Sequence, residues 1–377
     1  MLKAEIPDSP PVIIDNGSGM CKAGIAGDDA PRSVVVSVVG RSKDPRLAMG
    51  ANKKDFYIGE EAQSRRGILT LKHPVEHGIV KSWPDMEKIW KHIYQCELQL
   101  RSNEHPLLIT EAPLNPVRNR ETMAEVLFES FNVPAMYIAS EPKLLIYAYG
   151  RTTGVLVDSG DGTTYTFPIF DGFQMPHAGK RLDIGGRDIT NYLMSLLRES
   201  GASFSSSSEK EITKDIKEKL GYVALDLKEE EAKFGNEILH DYTLPDGSTI
   251  SIGDQCFRAP EALFSPDFIG LEGPGVHKMI YRTILKCDID VRRNLYNNIL
   301  LSGGSTLFPG FVDRLYKEMT DLAPSGIPIN IVANNERQFS VWLGASVFSS
   351  MGFLKNMWIS SSEYKEFGPV IVHQKHV

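Results

Sequence analysis

Residues 12–24 read VIIDNGSGMCKAG, and residues 155–166 read VLVDSGDGTTYT. In both stretches an apolar run ends in an aspartate, and a turn of the form D-[NS]-G-[SD]-G follows. Glycines in such a turn adopt positive φ without strain, and they leave backbone N–H groups uncovered, so the turn can close around an anion. Asp15 and Asp158, at the ends of the two runs, carry the oxygen atoms that a hydrated divalent cation needs. Two such hairpins that face each other would hold the phosphates of one nucleotide from both sides.

A single glycine-rich hairpin is a weak indication of function, because Asn-Gly turns commonly close ordinary hairpins. Two copies, each preceded by an apolar strand with a terminal aspartate, favour a functional site over that purely structural interpretation. The turn is not a Walker loop, since the pattern GxxxxGK[ST] is absent. Residues 22–26, which follow the first turn, are predicted to form a second strand and not a helix.

The composition of the chain excludes several classes of protein. The 377 residues leave room for two domains, and 42% hydrophobic with 24% charged residues is typical of a globular protein. The net charge of −7 argues against a general binder of nucleic acid or of anionic membranes. No stretch resembles a signal peptide or a membrane span. The scattered cysteines lack CxxC or metal-ligand spacing and predict a reducing compartment, the cytosol or the nucleus: Cys21, Cys96, Cys256 and Cys287.

The periodicity of apolar residues predicts alternating strands and helices. The spacing is helical over residues 83–100 and 119–131, and residues 32–40 are predicted to form one strand. A further helix begins near Glu141, with Pro142 in its first turn. In the second half we predict helices over residues 187–200, 209–220, 274–287, 290–296, 310–322 and 336–349. Residues 299–306, ILLSGGST, form another strand that ends in a Gly-Gly turn, where the backbone could approach a flat ligand.

This alternation predicts an α/β fold, with ligand sites at the carboxyl ends of strands. The duplicated strand-turn pattern adds that two similar domains face a shared cleft, and residues 151–154 are the predicted hinge. Residues 41–55 are polar and without clear periodicity, so we expect a mobile loop there.

Several stretches resemble the actin family. They are DNGSGMCKAGIAGDDAPR at 15–32, RGILTLKHPVEHGIV at 66–80, HPLLITEAPLNP at 105–116, GRTTGVLVDSGDG at 150–162, DIKEKLGYVALD at 215–226 and LSGGSTLFPG at 301–310. The resemblance runs from about residue 12 to the C-terminus and identifies the chain as a divergent actin or an actin-related protein. It implies the actin-like ATPase fold, with two duplicated domains around a nucleotide cleft. Domain I would comprise residues 1–150 and 339–377, and domain II residues 151–338.

The resemblance also implies the ligands and the residues that hold them. ATP or ADP would bind in the cleft with Mg²⁺ or Ca²⁺, whose water shell Asp15 and Asp158 would hold. The first phosphate loop would comprise Gly17, Ser18, Gly19, Met20 and Lys22, with Ser18 and Lys22 contacting the β- and γ-phosphates. The second phosphate loop would comprise Asp161, Gly162 and Thr163. The adenosine side would be lined by Gly186, Lys217, Glu218, Gly304, Ser305 and Phe308.

Two departures from the family concern hydrolysis. Glu141 and Tyr165 stand where actins have a glutamine and a histidine that orient the attacking water. Losing such a group costs orders of magnitude in rate, so we expect a weak ATPase at most. Three interpretations of Glu141 remain: its charge repels the γ-phosphate, it acts as a general base, or it caps the helix that begins at Pro142.

Assembly and partners are also expectations from the resemblance. Residues 41–53 occupy the place of the loop that inserts into the next filament subunit, and they differ strongly from the usual pattern. That difference supports a non-polymerising subunit. The resemblance as a whole nevertheless implies a filament or assembly subunit of the cytoplasm and cytoskeleton, with the nucleus also open, that contacts itself or other actin-family subunits. The alternatives are a non-polymerising structural subunit that binds ATP without hydrolysing it, and a small-molecule kinase. A groove for actin-binding proteins, or else ordinary core, is predicted at Tyr147, Phe173, Phe348, Met351 and Leu354.

The histidines of the C-terminal tail allow one further interpretation. His373 and His376 have a spacing that permits a metal site, although an exposed tail is the favoured interpretation.

Overall fold

The structure, a computed structural model, describes residues 6–43, 54–201, 204, 206–234, 239–351, 354 and 356–375. It divides into two compact units, unit 1 (Met1–Arg151 and Phe339–Val377) and unit 2 (Thr152–Gln338). Most of the predicted mobile loop, residues 44–53, lies outside the described residues. Among the residues that are described, no helix combines the length and the apolar character that crossing a bilayer requires.

Unit 1 contains strands and α-helices from both ends of the chain. Its strands are β1 Val12–Asn16, β2 Met20–Ile25, β3 Ser33–Val36, β4 Val39–Ser42, β5 Tyr57–Ile58, β6 Leu69–Lys72, β7 Val75–Glu76, β8 Ile79–Val80, β9 Leu107–Glu111, β10 Ala135–Ser140 and β19 Ile359–Ser360. Its helices are α1 Gly59–Ser64, α2 Trp83–His92, α3 Val117–Glu125, α4 Glu141–Ala148, α12 Ser340–Ser349 and α13 Ser361–Phe367. Helices α2 and α3 continue as the π-helical segments Ile93–Glu97 and Val126–Ser130.

Unit 2 lies between these two parts of the sequence. Its strands are β11 Gly154–Ser159, β12 Thr164–Phe170, β13 Phe173–Gln174, β14 Lys180–Leu182, β15 His240–Thr243, β16 Thr249–Ile252, β17 Ile299–Ser302 and β18 Ile331–Val332. Its helices are α5 Gly186–Glu199, α6 Ser207–Leu220, α7 Leu227–Phe234, α8 Gln255–Glu261, α9 Val276–Leu285, α10 Ile289–Tyr296 and α11 Phe311–Leu322. Helix α6 begins at a capping box in which the hydroxyl of Ser206 accepts from the N–H of Glu209.

The two units share one arrangement around their first hairpin. In unit 1, β1 pairs antiparallel with β2 and parallel with β9, within a sheet of order β19-β10-β9-β1-β2-β3. In unit 2, β11 pairs antiparallel with β12 and parallel with β17, within a sheet of order β13-β12-β11-β17-β18. Every residue of β1 and β11 is buried, which explains why both appear in the sequence as unbroken apolar runs. The repeated sequence pattern therefore corresponds to a repeated strand topology.

The prediction of one strand over residues 32–40 is wrong. The chain turns at Ser37, where the N–H of Val38 donates to the carbonyl of Val36 at 2.8 Å. Strand β3 stays in the six-stranded sheet, while β4 lies between β5 and β6 in a separate three-stranded sheet. The reason is that Ser37 is held by the first glycine turn, since its N–H donates to the carbonyl of Gly19 at 2.9 Å. A valine-rich run cannot reveal that contact.

A buried histidine belongs to the core of unit 2. His277 on α9 stacks on Phe264 with ring centroids 5.7 Å apart, and its Nε2 lies 3.7 Å from a carboxylate oxygen of Glu318. Burial lowers the pKa of His277 to about 4, although the charge of Glu318 acts in the opposite direction. The native protein therefore holds a neutral imidazole, whereas the unfolded chain takes up a proton near pH 6.5.

We expect this histidine to weaken unit 2 as the pH falls from about 6.5 towards 4, because proton uptake then favours the unfolded chain. Between pH 7 and 5 the native protein should lose about 2 kcal/mol more unfolding free energy than His277→Gln. Urea titrations at both pH values measure this difference, and exposed His177→Gln is the control. Equal pH dependence in the native protein and His277→Gln would contradict the assignment.

Candidate functional site

The glycine turn of unit 1 is held in place by neighbouring segments. The hydroxyl of Ser37 donates to the carbonyl of Gly17 at 2.8 Å, and its N–H donates to the carbonyl of Gly19 at 2.9 Å. From another segment, the N–H of Gly78 donates to the hydroxyl of Ser18 at 2.8 Å. A Cβ at Gly17 would lie 2.6 Å from the carbonyl oxygen of Met20, so this position requires glycine. The turn is therefore closely packed by neighbouring segments of unit 1.

Asp15 lies at the carboxyl end of β1 and is 2% exposed. Its Oδ2 pairs with Nζ of Lys22 at 2.7 Å, and its Oδ1 accepts from the hydroxyl of Thr110 at 2.8 Å. The same Thr110 oxygen accepts from the N–H of Asn16 at 2.9 Å. The structure thus brings together the predicted cation-shell carboxylate and the predicted phosphate-binding lysine. Thr110 is an addition that the motif alone could not identify, since it comes from the neighbouring strand β9.

In unit 2, three glycine-rich segments meet at the carbonyl of Gly160. This oxygen accepts from the N–H of Gly186 at 2.9 Å and from the hydroxyl of Ser305 at 2.8 Å. Gly186 begins α5, and Ser305 belongs to the turn that follows β17. The residue that directly precedes the predicted second phosphate loop is therefore in contact with two of the predicted adenosine-side residues.

Asp161, the next residue of this turn, is bound to the start of α5. Its carbonyl accepts from the N–H of Arg187 at 2.9 Å, and its carboxylate pairs with the Arg187 guanidinium at 2.9 Å. A Cβ at Gly185 would lie 2.5 Å from the carbonyl carbon of Asp161, so the two segments touch through backbone. Sequence reasoning missed Arg187, although its place directly after the predicted Gly186 was an available signal.

Lys217 supplies a buried positive charge beside this turn. It is 6% exposed, and its Nζ donates to the carbonyl of Gly186 at 2.9 Å. Burial is the main cause that lowers the pKa of Lys217 below its usual range, and the charge of Asp161 acts against it. A Cβ at Gly186 would lie 3.1 Å from this Nζ and 3.1 Å from the hydroxyl of Ser305. Because Gly186 has no side chain, a small space remains between the ammonium group of Lys217 and the hydroxyl of Ser305.

The remaining predicted residues of unit 2 lie around this centre. Phe308 packs at the end of α6, where a Cβ at Gly221 would be 2.9 Å from its ring. Asp158 and Thr163 are buried, and Gly162 follows Asp161 in the turn. Glu218 and Gly304 are exposed at the surface. Their proposed contacts with a ligand remain predictions.

The two candidate hydrolysis residues lie in different units. Glu141 is the first residue of α4, and Ser140 occupies the N-cap position. The interpretation of Glu141 as the cap is therefore wrong: it lies in the first helical turn, where the helix dipole favours a carboxylate. Tyr165 is buried on β12, where its backbone pairs with Asp158. The catalytic role of either residue remains a prediction.

In the described parts of both units, few side chains are placed to ligate a metal ion directly. Among these residues, no three His, Cys, Asp or Glu side chains form a group that could hold an ion. Asp15 and Asp158 are each the last but one residue of a buried strand of their own unit. In the tail, Nε2 of His373 lies 3.1 Å from a carboxylate oxygen of Glu121, while His376 lies outside the described residues.

The predicted partner groove contains mostly buried side chains. In unit 1, Phe348 and Leu354 are buried, and the Phe348 ring packs on Tyr147 with centroids 5.2 Å apart. Met351 is half-buried in the same unit, and Phe173 in unit 2 is 78% exposed. Phe348 and Leu354 therefore contribute to a core, and partner binding remains a prediction.

Two adjacent glycines allow a matched test of the unit 2 site. Gly303 has φ of +87°, and a Cβ there would lie 2.2 Å from the carbonyl oxygen of Ser159, whereas a Cβ at Gly304 meets nothing within 4 Å. We expect Gly303→Ala to lower the unfolding free energy by about 3 kcal/mol or more, because backbone must move. Gly304→Ala should cost about 1 kcal/mol or less. Urea unfolding measures both, and equal losses would refute the close approach of β11 and β17.

The fold and both glycine turns can be compared with known families. The family model described as Actin matches residues 6–377. This match covers both units and every residue of the two turns. The chain therefore belongs to the actin family, and the predicted actin-like α/β fold is confirmed.

Proposed function

We propose that this chain is a divergent actin-like cytoskeletal protein that binds ATP or ADP with a divalent cation, hydrolyses ATP slowly, and acts as a filament or assembly subunit. The observation that carries the proposal is how the two glycine turns are held. In each turn, a backbone carbonyl accepts hydrogen bonds from another segment of its own unit: Gly17 from Ser37, and Gly160 from Gly186 and Ser305.

This arrangement sets the direction of the neighbouring N–H groups. The described peptide bonds are all trans, and in a trans peptide the C=O and N–H point in opposite directions. The N–H groups of Ser18 and Asp161 therefore point away from the segments that hold the preceding carbonyls. Backbone N–H groups aimed out of a glycine turn are suited to phosphate oxygens. The residues present thus fit a nucleotide phosphate in both units.

Charged side chains complete the proposed phosphate and cation sites. Lys22 in unit 1 and Lys217 in unit 2 provide positive charge close to the two turns. Asp15 and Asp158 are the proposed acceptors for the water shell of Mg²⁺ or Ca²⁺, which would neutralise phosphate charge. In unit 1 the carboxylate of Asp15 pairs with the ammonium group of Lys22 and so holds this positive charge beside the turn.

Replacing Lys22 tests the phosphate site. Lys22→Gln removes a cation that we expect at the phosphates, so the affinity for ATP should fall about ten-fold or more. The measurement is fluorescence anisotropy of a labelled ATP analogue with Mg²⁺. Exposed Lys81→Gln is the control with the same change of charge and should leave the affinity unchanged. Since the substitution also leaves Asp15 without its ion partner, thermal melting must show that the variant is folded. Unchanged ATP affinity in folded Lys22→Gln would contradict the assignment.

Slow hydrolysis follows from the residues at the two predicted catalytic positions. Glu141 lies in the first turn of α4, where the helix dipole favours a carboxylate. A carboxylate cannot donate a hydrogen bond to the attacking water as a glutamine amide can. Water orientation is a main contribution of protein to phosphoryl transfer, and its loss reduces the rate strongly.

Phosphate release from the purified protein with Mg-ATP measures this rate. We expect release about a hundred-fold slower or more than that of a conventional actin assayed alongside, and we expect Glu141→Gln to increase it several-fold. Exposed Glu125→Gln serves as the control. A slower Glu141→Gln would show instead that Glu141 acts as a general base.

Assembly is tested by pelleting across protein concentration in the same samples. Concentration-dependent pelleting that accompanies release supports an assembly subunit that contacts itself or other actin-family subunits. Tight ATP binding without release or pelleting would establish the second candidate, a non-polymerising structural subunit of a larger complex. The departures at Glu141 and Tyr165 favour that candidate. Phosphate transfer to a small-molecule acceptor would indicate a kinase.

We further propose the cytoplasm and the cytoskeleton as the location, with the nucleus as the alternative. Actin-binding proteins are proposed partners at the groove residues Tyr147, Phe173, Phe348, Met351 and Leu354.

A further inference from the structure

Three cationic side chains of unit 2 come together at the surface, at Lys180, Arg282 and Lys286. Lys180 begins β14 and pairs with Thr166 of β12. The hydroxyl of Thr166 lies 2.7 Å from the hydroxyl of Thr283 on α9. Residues directly opposite each other in an antiparallel pair project to the same face of the sheet. The side chain of Lys180 therefore projects towards α9, as that of Thr166 does.

The other two cations are on the helix that Lys180 faces. Arg282 lies in the last turn of α9, and Lys286 caps this helix four residues later, so the two are neighbours on its surface. Both are exposed, while Lys180 is half-buried. Lys286 is the main cause that lowers the pKa of Lys180, and burial and the charge of Arg282 add to it. We call these three residues the cationic patch.

No carboxylate explains the patch. In the part of the chain that the structure describes, none of its three side chains forms an ion pair with an acidic residue. Cations near a helix C-terminus are favoured by the helix dipole, which accounts for Lys286 but not for Lys180 on another element. The carbonyls of Leu285 and Cys287 accept from the Arg292 guanidinium at 2.8 and 2.9 Å. This arginine therefore already provides hydrogen bonds and positive charge at the C-terminal end of α9. The chain as a whole carries −7, so its overall charge does not account for the patch either.

We propose that the cationic patch binds an acidic, extended segment of a partner protein. Residues four apart on a helix surface have Cβ atoms about 5–6 Å apart, and alternate residues of an extended chain are about 6.5 Å apart. Two carboxylates on one side of such a segment therefore match Arg282 and Lys286, and Lys180 lies beside them. Leu285 is 40% exposed next to Lys286 and offers an apolar contact to the same segment.

The test uses the full chain and a labelled peptide of alternating glutamate and alanine. Fluorescence anisotropy at about 50 mM and about 300 mM NaCl measures binding, since exposed charge pairs are screened by salt. The triple variant Lys180→Gln, Arg282→Gln, Lys286→Gln should bind at least about ten-fold more weakly, because three attractive charges are lost. The control triple variant Lys81→Gln, Lys91→Gln, Lys365→Gln changes the net charge equally at exposed positions of unit 1 and should bind within about two-fold of the native protein.

The folding of the patch variant is checked by thermal melting. Because its side chains are at the surface and repel each other, the variant should melt at the same temperature as the native protein or higher. A matched glutamine–alanine peptide should not bind.

Three outcomes would overturn the proposal. They are no binding of the acidic peptide, equal losses in the two triple variants, and binding of inorganic phosphate to the patch without peptide binding, which would indicate a small-anion site. All measurements are made without nucleotide, so failure here leaves the proposed ATP site untouched.

Discussion

The carbonyl of Gly160 is the shared acceptor on which the site of unit 2 depends. The N–H of Gly186, at the start of α5, donates a hydrogen bond to this oxygen at 2.9 Å, and the hydroxyl of Ser305, in the turn after β17, donates another at 2.8 Å. Two further segments are thereby tied to the second hairpin, and Lys217 joins them through the carbonyl of Gly186. Even for a half-buried carbonyl the loss of these donors would be costly, so the three segments hold one another in place.

Unit 1 achieves a similar result with different residues. Its turn is held by Ser37 and Gly78, which come from the segment after β3 and from the β7–β8 hairpin. The charge distribution of the two turns also differs. In unit 1 the strand-end carboxylate of Asp15 pairs with Lys22, whereas in unit 2 Arg187 pairs with the turn residue Asp161. The strand topology is duplicated, but the electrostatic environment of each turn is its own.

Features that depend on neighbouring residues could be predicted from the sequence, whereas features that depend on contacts between separate segments could not. Both hairpins, most helices and the α/β class were predictable, because glycine turns and apolar periodicity act over a few neighbouring residues. Helix α8 was missed, and it contains Pro260, which local rules treat as a breaker. The strand over residues 32–40 was placed wrongly because its break depends on a hydrogen bond to Gly19, far away in the chain.

The sequence by itself therefore determined the family of this protein, the two glycine turns, and the aspartates that precede them, because each is written in contiguous residues. Tertiary structure alone decided which side chains surround those turns. Thr110 on Asp15, Arg187 on Asp161, and the approach of Lys180 to α9 all join residues from separate elements. Such contacts depend on strand order, register and helix packing, and these are set by burial of the whole core and not by any local pattern.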